Sequence, residues 1–150
     1  MDTSAGATAK QQLAERVERY TGWPASQLRD ADGDLQLEDS PFGLFARLAT
    51  PRPGLLLVAC PLLEVEVTDE VRAILDELTR DRVAWAHGAD AIQLFRLVGP
   101  KALTDDAHFW READGLLALG RKVVAAVQPR HGGLTPEQWR EARAAGPERR

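Results

Sequence analysis

Turn residues that interrupt alternating segments in the middle of the chain constrain the fold most. Residues 35–38, Leu-Gln-Leu-Glu, alternate apolar and polar side chains, which is typical of a half-buried strand. Pro41 and Gly43 then turn the chain, and residues 43–49 form a second predicted strand. The segment PRPG at 51–54 contains two prolines, which no strand can carry through, so it predicts another turn.

The third predicted strand follows this turn directly. Residues 55–60 are apolar on both faces, as expected for a central strand. The alternation continues to residue 67, past a bulge or kink at Pro61. This segment therefore predicts the centre of a sheet.

A further turn signal, Gly88-Ala89-Asp90, predicts a β-hairpin between an alternation that begins at Val83 and residues 92–98. The predicted order is helix, three strands, helix, two strands and helix. That order favours an α+β fold, a five-stranded antiparallel sheet with helices packed mainly on one face, plus a short C-terminal helix.

Three main helices are predicted around the strands. Residues 10–21 carry an amphipathic stripe, and Thr68 begins a second helix, as its cap, that ends near Arg82. The third pattern, residues 103–127 with Thr104 as cap, would extend roughly 35 to 40 Å, enough to cross a five-stranded sheet. We expect this helix to be a main packing partner of the sheet.

The ends of the chain differ from its body. We expect residues 1–9 to be a flexible N-terminus, residues 10–128 to form one domain and residues 129–150 to form a C-terminal extension. Within the extension, Thr135 and Gln138 have the spacing of a capping box. Pro136 at the first helical position, with Leu134 and Trp139 spaced as a hydrophobic staple, supports a short helix over about residues 136–145.

Composition excludes several classes of protein. The 150 residues are 44% hydrophobic and 28% charged, close to the averages of globular domains. The net charge is −4, and because residues 129–150 carry five arginines and three glutamates, the rest carries about −6. Such an acidic body does not fit a nucleic-acid binder. No apolar segment is long enough to span a membrane, and no signal peptide is recognisable, so we expect a cytoplasmic protein.

The residues that bind metals are dispersed along the chain. The acidic segment 30–34 lacks the glycine and glutamate that an EF-hand loop needs at its sixth and twelfth positions, so it is interpreted as a solvated turn. His87, His108 and His131 lie on different predicted elements. His108 and Glu112 are one helical turn apart but would form an incomplete site. We expect no metal and no cofactor.

Catalytic signatures are likewise missing from the sequence. Cys60, the single cysteine, cannot form an intrachain disulfide and ends the most apolar strand, where cysteines act as small hydrophobic residues far more often than as nucleophiles. There is no GxSxG, Walker A or GxGxxG motif. We therefore expect a protein that is not an enzyme. An enzyme with an unusual site stays open as an alternative.

Four segments carry a resemblance to a known family: DLQLED (34–39), GLLLVAC (54–60), LTRDRVAWAHGADAIQLFRLVG (78–99) and ADGLLALGRKVVAAV leading into PRHGGLTP (113–136). Together with the element order, they resemble the YbjN and type III secretion chaperone-like (CesT-class) peptide-binding chaperones, in their actinobacterial branch. The chain departs from this family at His131, where an aromatic residue commonly precedes the paired glycines, and at PRPG. The resemblance implies a cytoplasmic homodimer that binds client peptides without a cofactor.

Candidate binding residues follow from the expected open sheet. If the main helices share one face, the other can hold apolar side chains of a peptide, and the sheet edges can pair with it. The candidates are Phe42, Phe45, Arg47 and Trp85, with core packing as the alternative for each. Trp139 has two interpretations: it attaches the tail to the body, or it anchors a partner. An interaction or immunity-type regulator that binds one folded partner stays open as a second function.

Overall fold

The computed structural model describes residues 2–39, 41–49, 52–79, 83–88 and 91–144, with side chains from Thr8 onward. The elements over these ranges, in chain order, are α1 (Asp2–Thr21), β1 (Leu35–Glu38), β2 (Leu44–Leu48), β3 (Leu55–Glu64), α2 (Asp69–Leu78), β4 (Val83–Gly88), β5 (Ala91–Val98), α3 (Asp106–His131) and α4 (Pro136–Ala144). Two short 3₁₀ turns, Ala25–Gln27 and Pro100–Leu103, precede β1 and α3.

The five strands form one antiparallel sheet in the order β1-β2-β3-β5-β4. The central strand is β3, the longest and most apolar, as the sequence predicted. Its pairing with β5 shifts register between Ala59 and Leu63, around Pro61, which agrees with the predicted bulge. The predicted α+β fold, with a five-stranded antiparallel sheet and a C-terminal helix, is confirmed.

The strand register assigns side chains to the two faces of the sheet. Residues directly opposite each other on antiparallel strands point to the same side. One row crosses the sheet through Leu44, Ala59, Leu94 and Trp85. The adjacent row, Phe45, Val58, Phe95 and Ala84, therefore lies on the other side.

The first of these faces, the covered face, packs against the main helices. Leu44, Ala59 and Leu94 are fully buried there, and they share one hydrophobic cluster with Val17 of α1 and Phe109 of α3. Helix α3 contacts β3 and β5, α1 contacts β1 and β2, and α2 contacts α3. The hydrophobic core therefore lies between the sheet and one helical layer.

Helix α1 is attached to the start of α3 by a buried arginine. Arg16 Nε lies 2.8 Å from Asp106 Oδ1, and its Nη1 donates a hydrogen bond of 2.9 Å to the Leu103 carbonyl oxygen. Arg19 Nη1 contacts the other oxygen of Asp106 at 2.7 Å. A charge in the interior is tolerated only when it is paired in this way.

The bounds of α3 differ from the prediction at both ends. Asp105, and not Thr104, caps the helix: its side chain accepts a hydrogen bond from the His108 amide at 3.2 Å. The C-terminus passes the predicted break at Pro129, which is exposed in the last turn, where the loss of one helical hydrogen bond costs least. The helix ends only at Gly132, whose φ of 76° favours glycine.

The bounds of α1 and α2 also differ from the predictions. The first helix was predicted over residues 10–21, but α1 begins at Asp2. Helix α2 ends at Leu78, before the predicted end at Arg82, which lies outside the described residues. Its predicted cap is confirmed, since Thr68 Oγ1 accepts a hydrogen bond from the Val71 amide.

Candidate functional site

The second face of the sheet, which we call the open face, is apolar as well. It consists of five large side chains from the three central strands: Phe45, Leu56, Val58, Phe95 and Leu97. None of the five belongs to the hydrophobic cluster beneath the helices. Leu97 is 47% exposed, and Phe45, Leu56 and Phe95 are partly exposed. The open face is therefore apolar surface that folding leaves in contact with water.

Cross-strand pairing holds this surface flat and ordered. Phe45 lies opposite Val58, which lies opposite Phe95, so an aromatic, a β-branched and an aromatic side chain form a row across three strands. Leu56 and Leu97 lie opposite each other one position farther along. Such pairs stabilise the sheet, and they cover Val58 at the centre of the row, which is only 6% exposed. The other four side chains keep part of their outer surface in water.

A basic and acidic pair borders the open face near β1. Arg47 lies opposite Leu56 on this face and is exposed, with its Nε 3.7 Å from Asp34 Oδ1. Burial raises the pKa of Asp34, Arg47 opposes this rise, and the charges of Asp30 and Asp32 add to it. The acidic segment closes on itself, since Asp30 Oδ1 accepts hydrogen bonds from two amides of the same turn. This geometry fits the predicted acidic turn.

Two of the predicted binding residues, Phe45 and Arg47, lie on the open face, and two do not. Phe42 is fully buried and its ring packs against Gly120 of α3, so the expectation that it contributes to a surface is wrong. Trp85 lies on the covered face, where its Nε1 donates a 2.8 Å hydrogen bond to Asp76 Oδ1 of α2. Trp85 is thus occupied by a helix rather than offered to a peptide.

Most of the open face was not among the predicted site residues. Leu56 and Val58 were assigned to a strand that is apolar on both sides, which leaves no contrast between its faces. Phe95 and Leu97 belong to β5, where they alternate with Leu94 and Val98 of the covered face. Had Phe95 been paired with Val58 and Leu97 with Leu56, the register would have assigned both residues to the same face as Phe45.

Trp139 of α4 contacts the body and is also exposed. Its Nε1 donates a 3.0 Å hydrogen bond to Glu64 Oε2, while 43% of the residue remains accessible. The predicted capping box is confirmed, because Thr135 Oγ1 and the Gln138 side chain each accept a hydrogen bond from the other's amide. Trp139 therefore helps to attach α4 to β3, as one of its two interpretations required.

Cys60 lies at the end of the apolar part of β3 and is half-buried. Burial raises the pKa of its thiol. A thiol with a raised pKa is a poor nucleophile at neutral pH, because only the thiolate reacts readily. This environment fits the interpretation of Cys60 as a small hydrophobic residue.

The histidines remain apart in the folded chain. His131 Nε2 lies 3.2 Å from Glu70 Oε2, and His108 Nδ1 lies 2.9 Å from Arg111 Nη2. Over the described ranges, no three His, Cys, Asp or Glu residues are grouped in a way that could hold a metal ion. Nor does any described helix combine the length and the hydropathy needed to cross a lipid bilayer.

A scan against protein-family models gives no match to this chain, and a search of curated protein sequences gives none either.

Proposed function

We propose that this protein acts by binding and not by catalysis, and that its open face holds an extended apolar segment of a client protein. The observation that carries the proposal is the row of Phe45, Val58 and Phe95, flanked by the exposed Leu97, on the side of the sheet opposite the core. The function matches the peptide-binding chaperones or adaptors that the YbjN and CesT-like resemblance implies.

The physical basis is the burial of apolar area. A large aliphatic or aromatic side chain gains about 1.5 to 3 kcal/mol when it is fully removed from water. An extended peptide places alternate side chains on one side, and their spacing along a strand matches the spacing of rows on a sheet. Two or three apolar residues of a client would therefore suffice for reversible binding after the cost of ordering the peptide.

The edges of the sheet offer a second mode of binding in the same function. β1 and β4 are the edge strands, and an edge can pair with a client strand through backbone hydrogen bonds. The residue 28–29 segment already pairs with the start of β1, since the Gln36 amide donates to the Leu28 carbonyl oxygen. The open face provides what an edge lacks, namely side-chain contacts that select apolar clients.

The proposal includes a cytoplasmic homodimer, as the resemblance implies. Static light scattering should then give twice the 16.5 kDa mass of one chain. A strict monomer at micromolar concentration would contradict the homodimer but not the peptide-binding function, because the open face belongs to a single chain.

The test of binding compares two aspartate substitutions. The probe is a peptide that alternates leucine with serine, and its control has the same composition with the leucines grouped together. Leu97→Asp introduces a charge into the open face, whereas Ala118→Asp introduces the same charge on an exposed position of α3. We expect Leu97→Asp to weaken binding at least about tenfold, because the charge must be desolvated, and Ala118→Asp to leave it unchanged.

Two outcomes would contradict the proposal. Equal binding of the alternating peptide by Leu97→Asp and Ala118→Asp would show that the open face is not the binding surface. Binding that is absent for every extended peptide, but present for a folded client captured from cells, would favour the regulator of one folded partner.

A further inference from the structure

A second surface of the molecule combines exposed aromatic rings with carboxylates. It is a cleft of about 530 Å³ between the end of α1, the edge strand β1 and the start of α3. Its aromatic and acidic lining residues are Tyr20, Trp23, Glu38, Asp39, Trp110 and Asp114. The cleft lies at the rim of the helical layer and does not include the five side chains of the open face.

The two tryptophans are unusually accessible for their size. Trp23 is 60% exposed and Trp110 is 45% exposed. The Trp110 ring meets Tyr20 edge to face at a centroid distance of 6.3 Å, and Tyr20 in turn contacts the buried Phe109. The core therefore positions Trp110, through Tyr20, with much of its indole facing water.

The backbone around Trp23 is held in place although its ring is exposed. Gly22 ends α1 with a φ of 80°, and its amide donates a 2.8 Å hydrogen bond to the Glu18 carbonyl oxygen. The Glu18 side chain accepts a 2.8 Å hydrogen bond from the Ala25 amide, and Thr21 Oγ1 accepts one from the Trp23 amide. These contacts order the turn, but they do not account for a large indole left in water.

The electrostatic character of the cleft is acidic. Among the residues that the structure describes, its lining contains three carboxylates and no lysine or arginine. In the part of the chain that the structure describes, Glu38, Asp39 and Asp114 form no ion pair. Asp114 Oδ1 accepts a 2.7 Å hydrogen bond from the Tyr20 hydroxyl group, which is neutral and leaves the negative charge in place.

The cations nearest this cleft lie outside its lining. Arg140 Nη2 donates to the backbone carbonyl oxygen of Asp39 and not to its carboxylate. Burial, the Asp114 hydrogen bond and the charges of Asp114 and Glu38 raise the pKa of Tyr20, whereas Arg121 opposes the rise. Among the charges that act on Tyr20, those of Asp114 and Glu38 therefore outweigh that of Arg121.

We propose that this cleft binds the guanidinium group of an arginine side chain from a partner peptide. Aromatic faces attract cations, and tryptophan is the best of them. A guanidinium group is planar, so it can stack on an indole while its N–H groups donate to carboxylates. A lysine ammonium group carries the required charge but is not planar and cannot stack on an indole in the same way. A neutral side chain lacks the charge that the carboxylates attract.

A peptide is the favoured source of the cation because of where the cleft opens. One of its walls is β1, an edge strand of the sheet, and the lining includes Gln36 to Asp39 along that strand. Residues 28–29 already pair with the start of this edge, so an extended segment would run past its far end, beside Glu38 and Asp39, and place one side chain in the cleft. The proposal does not rest on the proposed function, because it uses neither the open face nor an apolar client.

The experiment titrates labelled protein with four short capped probes and follows the indole N–H signals by NMR. The first probe is a peptide of glycine and serine with one central arginine. The second and third are the same peptide with lysine or citrulline in place of arginine. The fourth is free methylguanidinium, which carries the charged group without a peptide. We expect the arginine peptide to shift the signals of Trp23 and Trp110 and to leave that of Trp139, the exposed indole of α4, in place. Lysine should bind several-fold more weakly and citrulline at least about tenfold more weakly.

Matched substitutions locate the effect. Trp23→Ala should weaken the arginine peptide about two- to fivefold, and Glu38→Gln should weaken it by a similar factor that disappears in high salt. The controls are Trp139→Ala and Glu141→Gln, which remove an exposed indole and an exposed carboxylate on α4 and should leave the affinity unchanged. Because Trp23 is exposed, its truncation is not expected to unfold the protein.

Three results would overturn the proposal. Equal binding of the citrulline and arginine peptides would exclude recognition of the charge. An equal loss of affinity for the arginine peptide in Trp23→Ala and Trp139→Ala would exclude the cleft as the binding site. Methylguanidinium that binds as tightly as the arginine peptide would exclude a peptide as the source of the cation. None of these results bears on whether apolar peptides bind the open face.

Discussion

The two faces of the sheet carry similar residues but have different surroundings. On the covered face, Leu57 and Leu94 are fully buried beneath the helical layer. On the open face, Leu56 and Phe95 stand one position away along the same strands and remain partly exposed. The difference arises from the helices and not from the strands, since β3 is apolar on both sides.

This contrast separates two roles of apolar residues. A side chain that packs on all sides contributes to folding, and its truncation leaves a cavity. A side chain that packs on one side contributes less to folding and retains free area for a partner. The predictions below test whether the two faces divide in this way.

The largest expected effect comes from two phenylalanines that are three positions apart. Phe42→Ala should lower the free energy of unfolding by about 3 to 5 kcal/mol, because Phe42 is fully buried beneath α3. Phe45→Ala should cost less than half as much, since its ring is partly exposed on the open face. Urea denaturation of both variants measures the difference, and equal losses would contradict the assignment of the two faces.

A smaller loss is expected where Gly120 of α3 packs against Phe42 and Leu62. A Cβ atom at Gly120 would overlap the Phe42 ring and come within 2.9 Å of Leu62 Cδ1. Gly120→Ala should therefore cost about 1 to 3 kcal/mol through overpacking, although alanine favours a helix. The control is Gly115→Ala, where a Cβ meets open space on the same helix. It should be neutral or stabilising, and a loss there equal to that of Gly120→Ala would refute the close approach.

The smallest effect concerns pH and the contact between α1 and α3. Burial and Asp114 raise the pKa of Tyr20, the single tyrosine, above its ordinary value near 10. The stability that this shift contributes is complete below about pH 10 and is lost as the pH rises above it, by less than about 1.4 kcal/mol per pH unit. Tyr20→Phe should remove this part of the slope.

Two measurements check this prediction. The free energy of unfolding, measured at pH 8 and pH 11, gives its dependence on pH for the wild-type protein and for Tyr20→Phe. Cys60, whose thiol also has a raised pKa, contributes equally to both proteins, so its contribution cancels in the comparison. Ultraviolet absorption follows phenolate formation directly, because one tyrosine gives the whole signal. Titration of native Tyr20 near pH 10 would show that its phenol is not held between the helices.

The fold could be predicted from the sequence because its signals are local. The strands on either side of PRPG and of Gly88-Ala89-Asp90, and the Thr68 cap, each depend on a few neighbouring residues, while residues 50–51 and 89–90 of the turns themselves lie outside the described ranges. Helix ends were less accurate. Thr104 and Asp105 are adjacent and both residue types cap helices. In the structure Thr104 ends the preceding 3₁₀ turn, with its amide and hydroxyl group donating to the Lys101 carbonyl oxygen, and Asp105 caps α3.

The candidate site could be predicted only in part because a face is a tertiary property. Phe42 precedes β2, so strand alternation does not determine its direction, and the ring turns beneath α3. Trp85 alternates with alanines, which do not mark a buried face, and only its pairing with Leu94 assigns it to the covered face. There its ring contacts Asp76 and Arg72 of α2. The acidic and aromatic cleft joins residues from three distant segments, which no local pattern brings together.

The most direct test of the open face compares methyl groups that are near neighbours along β3 and β5 but lie on opposite faces of the sheet. Methyl-labelled protein would be titrated with the peptide that alternates leucine with serine. We predict that the NMR signals of Leu56 and Leu97 shift with a single dissociation constant, while those of Leu57 and Leu94 on the covered face stay in place. Shifts confined to the covered face, or to Leu134 beside α4, would contradict the assignment of the open face as the binding surface.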